Sequence, residues 1–154
     1  MEATATPSLN RLAANATTHC LTGCAIGEVL GLVIAMQLGW DTVPSIVLAI
    51  VLAYVFGFAL TLRPLLRTGL AFGAALGIAF AADTLSITVM EIVDNAVILA
   101  IPGAMDAGLT SLLFWGSLAL ALAIAWVAAF PVNRWLIRRG LGHAKVMEHH
   151  AGHH

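Results

Sequence analysis

Charge is scarce in this sequence. Only 10% of its 154 residues are Asp, Glu, Lys or Arg, while 60% are hydrophobic. Soluble domains carry roughly 25% charged residues, so an ordinary soluble fold is excluded. Disorder is excluded too, because it requires low hydrophobicity. Seven Lys and Arg stand against eight Asp and Glu, and the net charge of -1 leaves no basic field for nucleic acid. Cysteine is almost missing: Cys20 and Cys24 are too few for a disulfide scaffold. No basic opening, short apolar core and small-residue cleavage site appear in succession at the start. The first apolar run is therefore expected to stay as a membrane helix. What is left is a polytopic membrane protein in contact with the lipid bilayer.

Four apolar segments are present. The first covers residues 17–38, with Thr17 or Thr18 able to cap it. The second covers 44–62 and contains no charge; Pro44 suits a helix start, where its missing N–H costs nothing. The third covers 68–101 and holds Asp83, Glu91 and Asp94. As one helix it would span roughly 50 Å against a bilayer core of about 30 Å. It is thus either long, with its far end projecting, or broken near 91–95; the long form is the reading taken here. The fourth covers 109–130, and Pro131 is expected to kink it before an amphipathic continuation. The expected class is an all-α membrane protein, a four-transmembrane-helix bundle. It comprises a short polar segment (1–16), a membrane domain (17–140) and a His-rich tail (141–154).

Every basic residue falls on one side of this topology. Arg11 precedes the first segment, Arg63 and Arg67 follow the second, and Arg134, Arg138, Arg139 and Lys145 follow the fourth. The other two connections hold Asp41 and Asp106. The positive-inside rule makes both termini cytoplasmic, in a multi-pass protein of the inner (cytoplasmic) membrane.

The unusual chemistry sits in the first and third segments. Residues four apart share a helix face, so Cys20, Cys24 and Glu28 form one stripe with His19 on its flank. Asp83, Ile87, Met90 and Asp94 form another with Glu91 beside it. Gly23, Gly27 and Gly31, and Gly69, Gly73 and Gly77, recur at the spacing that lets helix backbones approach closely in lipid. These glycine faces predict contact between the first and third helices, within one chain or across a homo-oligomer. Each polar stripe overlaps the glycine face of its helix. Glu28, Asp83, Glu91 and Asp94 have no Lys or Arg within a span. Protonation, a bound cation or escape to an interface are the remedies, and Glu91 and Asp94 escape if the third helix projects.

Taken singly, each of these residues has an ordinary explanation. Buried Cys behaves as a small hydrophobe, Met fills gaps, and an acid beside Thr84 and Ser86 can bond locally. Taken together, a histidine, two thiols and a carboxylate within ten residues point to a metal. The candidate ligands are His19, Cys20, Cys24, Glu28, Asp83, Met90, Glu91 and Asp94, and the candidate ions are Cu(I) and Zn(II). Five further histidines, His143, His149, His150, His153 and His154, form a tail able to collect metal weakly.

Three stretches together carry a resemblance. They are His19-Cys20-Leu21-Thr22-Gly23-Cys24-Ala25-Ile26-Gly27-Glu28, then Asp83 with Met90-Glu91-Ile92-Val93-Asp94-Asn95, then Pro131 to His143. In these the chain resembles a family of small prokaryotic integral-membrane domains, domain of unknown function 4396. The resemblance implies that the stretches form one unit, and implies no substrate.

The expected function is binding of copper or zinc, with transport, storage or delivery, at a Cys/His/carboxylate site between the first and third helices. The alternatives are a proton or small-cation pathway through the carboxylates, and a structural membrane subunit. Enzyme chemistry is disfavoured. Three residues separate the cysteines where a thiol oxidoreductase uses two, one histidine lies near a span where haem ligation uses two, and no phosphate loop or nucleophile elbow occurs.

Overall fold

The computed structural model describes residues 8–139. It contains four helices: α1 (Leu9–Leu38), α2 (Thr42–Arg67), α3 (Phe72–Ala100) and α4 (Leu112–Arg138). Each is long and apolar enough to cross a membrane. Helix α1 begins eight residues before the expected position. Ser8 caps it by accepting from the Arg11 amide at 3.3 Å. Thr17 is thereby inside the helix, where its hydroxyl donates to the Ala13 carbonyl at 2.7 Å. Gly39 closes α1 in the left-handed conformation, φ 66°, with its amide bonded to the carbonyls of Ala35 and Met36. Helix α2 runs past its expected end at 62, through Pro64 to Arg67, and α4 continues through Pro131 to Arg138, as its expected continuation required. Helix α3 is long and unbroken, and it starts at Phe72 after a turn at Gly69.

Consecutive helices are neighbours, α4 also lies against α1, and α1 meets α3 across the diagonal. Helix faces explain the arrangement. The buried residues of α2 are Ser45, Ala49, Ala53, Gly57, Thr61 and Leu65, spaced by four throughout. They form a flat strip of mostly small side chains, and the α1 glycines pack on it. A Cβ at Gly27 would lie 2.3 Å from the Ala53 amide nitrogen; one at Gly23 would lie 2.7 Å from the Gly57 Cα, and one at Gly31 2.6 Å from the Ala49 Cα. The expectation that these glycines face the third helix is corrected: they face α2. Gly73 and Gly77 of α3 meet nothing within 4 Å and lie on its exposed side.

The bundle is apolar outside and partly polar inside. Val47, Val51, Val55, Phe80, Ile92 and Val127 are more than half exposed, as lipid-facing side chains would be. Thr17 and Asn133 are fully buried, and the Asn133 amide donates to the Thr17 hydroxyl at 3.0 Å, joining α4 to α1. Trp126 donates to Thr18 at 3.2 Å and Arg134 to Asn10 at 2.9 Å in the same zone. The start of α1 and the end of α4 therefore share one end of the bundle.

The backbone contact of α1 with α2 leaves no room for a side chain. Gly27→Ala should destabilise the purified protein by about 1–3 kcal/mol, the usual cost of overpacking. Gly77→Ala should be neutral or stabilise by up to about 1 kcal/mol, because Ala is the better helix former. Thermal unfolding in detergent measures both, and equal effects would contradict the packing.

Candidate functional site: a polar seam between α1 and α3

Helices α2 and α4 line the diagonal with alanines. Ala53, Ala125 and Ala129 share one buried cluster with Cys20, Cys24, Ile87 and Met90. Small walls leave the centre to the longer side chains of α1 and α3. Seven of the eight expected ligands are buried there: Cys20, Cys24, Glu28, Asp83, Met90, Glu91 and Asp94, each 5% exposed or less. His19, one residue off the stripe, is half-buried.

The polar groups meet as pairs in chain order. The Cys20 thiol donates to Asp83 Oδ1 at 3.4 Å. Cys24 stands beside Glu91, and Glu28 beside Asp94. The partners on both helices advance in the same direction because α1 and α3 run parallel, as alternate helices of an up-down bundle must. The result is a ladder with a thiol–carboxyl rung, a second thiol–carboxyl rung and a carboxyl–carboxyl rung. Asp83 and Asp94 are eleven residues apart, so the ladder covers about 16 Å of helix.

Glu91 and Asp94 do not escape by projection; they are enclosed by the bundle. Glu91 is supported locally, since the Asn95 amide donates to its carbonyl at 2.8 Å and to Oε2 at 3.4 Å. Glu28 Oε2 and both oxygens of Asp94 have no donor, which is what two carboxyls facing each other produce: both are acceptors unless a proton or cation lies between them. Among the described residues, no three His, Cys, Asp or Glu side chains converge closely enough to hold a metal by themselves. The thioether of Met90 is a further soft donor in the thiol cluster.

Some participants were not among the candidate ligands. Tyr54 of α2 is hydrogen-bonded to Thr88, and both line a crevice of about 240 Å³ that reaches Glu91 and Asn95 from between α2 and α3. Ser86 is fully buried beside the seam, and Thr61 is buried on α2. Their signal was present: Ser86 shares the buried side of α3 with Met90, and Thr61 continues the four-residue spacing of α2. The histidine tail lies outside the described residues.

Pairing predicts selective energetic coupling. A double-mutant cycle with Glu28→Gln and Asp94→Asn should show an interaction of about 0.5–3 kcal/mol, and so should one with Cys24→Ser and Glu91→Gln. Glu28→Gln with Asp83→Asn, two rungs apart, should add within about 0.5 kcal/mol. Thermal unfolding in detergent supplies the values, and the reverse pattern would rule out this pairing.

No curated protein and no solved structure matches the chain. A family profile matches residues 9–142, which takes in all four helices and the whole seam. The chain belongs to the family described as a domain of unknown function (DUF4396).

Proposed function

We propose that this multi-pass membrane protein binds a soft metal cation, Cu(I) before Zn(II), in the seam between α1 and α3 and passes it along the seam. The observation that carries this reading is the buried grouping of two thiols and one thioether, Cys20, Cys24 and Met90, beside the line of buried carboxyls. Thiolate and thioether donors select Cu(I), whereas carboxylates widen tolerance toward Zn(II). Thiols lose protons when they ligate. Asp83 and Glu91, in contact with the two thiols, are placed to accept those protons. The Glu28–Asp94 rung then offers the next polar stop for a cation along the seam. His19 flanks the first rung as a capture group. The positive-inside rule puts the arginine end, with both termini, in the cytoplasm and the bundle in the cytoplasmic membrane.

A second reading is a proton or small-cation pathway with the cysteines as members of the relay. The one-to-one pairing of protonatable groups favours it, since a relay needs neighbours and not a cage.

Competition with a chromophoric Cu(I) chelator separates the two. Under the metal reading, Cys20→Ser with Cys24→Ser lowers Cu(I) affinity by about a hundredfold or more, because both charged soft ligands are gone. Met90→Leu, which conserves volume, lowers it less. Removal of residues 142–154 reduces only weak additional binding. Parent-like affinity in the double cysteine variant, together with proton flux in liposomes that Glu28→Gln abolishes, would replace the metal reading with the second one.

A further inference from the structure

The end of the bundle opposite the arginines contains a cavity of about 190 Å³. It lies between the α1–α2 turn and the connection from α3 to α4. Its walls include Met36 and Met105, Asp41 and Asp106, and Trp40. The two methionines are half-buried against the same apolar cluster, one from α1 and one from the connection after α3. Two distant parts of the chain thus bring one thioether each to the same small space.

The carboxylates are not occupied by local structure. Asp41 stands at the N-cap of α2, where an Asp side chain would normally accept from the first-turn amides, yet it makes no such bond. Ser45, at the cavity wall, spends its hydroxyl proton on the Asp41 carbonyl at 2.7 Å instead. Asp41 and Asp106 are solvent-exposed, and the arginines among the described residues, Arg11, Arg63, Arg67, Arg134, Arg138 and Arg139, lie toward the opposite ends of the helices. Two soft neutral donors, two negative charges and an aromatic face around a cavity suit a soft monovalent cation.

We infer that this cavity is a second cation site, taking Cu(I) through Met36 and Met105, with Asp41 and Asp106 supplying the balancing charge. Its place relative to the seam gives it a role. Leu32 forms part of the cavity wall, and Leu32 and Glu28 are successive members of the stripe that continues to Cys24 and Cys20. From Met36 to Glu28 is about 12 Å along the helix. The cavity is then a mouth of the seam, with Leu32 as the apolar step between them. This role as a mouth rests on the proposed function; the binding site does not.

The probe is Ag(I), a redox-inert stand-in for Cu(I), titrated in chloride-free buffer into the full chain in detergent while tryptophan fluorescence is read. Ag(I) should quench a component that Trp40→Phe removes. Met36→Leu with Met105→Leu, which conserves core volume, should raise the midpoint of that component about tenfold or more, the scale expected for lost soft ligands. Asp41→Asn with Asp106→Asn, at exposed positions that folding tolerates, should raise it about threefold through lost charge attraction. Cys20→Ser with Cys24→Ser should leave it within about twofold, since those thiols lie more than about 15 Å away along α1. A parent-like midpoint in the methionine variant, or the absence of any Trp40-dependent quench, overturns the site. A shift in the cysteine variant as large as that in the methionine variant also overturns it, by assigning the signal to the seam. Unchanged Cu(I) affinity in the cysteine variant with a Met-dependent Trp40 midpoint would remove the seam reading and leave this site standing.

Discussion

The constraint on which this molecule turns is an interior that holds carboxyls and, among the described residues, no lysine or arginine. Four carboxyls occupy the bundle centre, each costing about 3 kcal/mol to bring into a bilayer on insertion scales if charged. Among the described residues, no buried arginine or lysine offsets them. The structure answers by pairing. Each α1 member of the seam faces an α3 member: the Cys20 thiol donates to Asp83, Cys24 stands beside Glu91, and the remaining two carboxyls face each other. Any cation that enters, proton or metal, meets groups already short of positive charge.

Geometry for that pairing is supplied by residues with almost no side chain. Gly23, Gly27 and Gly31 let α1 lie directly on the α2 backbone. Ala53, Ala125 and Ala129 keep the flanking walls low. With bulky residues there, α1 and α3 would be held apart and the rungs would not meet. The polar seam and the small-residue packing are therefore two sides of one design, in which α2 and α4 give up volume that α1 and α3 use.

Much of this was legible in the residues. Hydropathy marked four spans, and the four-residue spacing of Cys20, Cys24 and Glu28 placed them on one face. Contact between the first and third helices was also expected, but for a different reason. The glycine spacing indicates close approach without naming the partner, because any strip of small residues satisfies it. Ala49, Ala53 and Gly57 form such a strip, yet they sit in a segment that looked plain for want of polar groups. The fate of Glu91 and Asp94 was hidden for a similar reason. A long helix with acids near its end reads as projecting until the length of its partners is known. The start of α1 at Leu9 was obscured because residues 9–16 are too polar to extend an apolar run, although Ser8 provides a sound cap.

The division of labour between helices also bears on how the molecule comes to be. Each acid-bearing helix is joined to a plainly apolar one, α1 to α2 by a turn of three residues and α3 to α4 by a longer connection. Each couple can enter the bilayer as a hairpin, the lipid affinity of one arm carrying the reluctant other. Neither hairpin contains a complete rung, since every rung takes one group from each. The seam can thus form only when the two halves dock, because each rung takes one group from α1 and one from α3. Docking and seam are therefore one event: no rung exists until the halves meet.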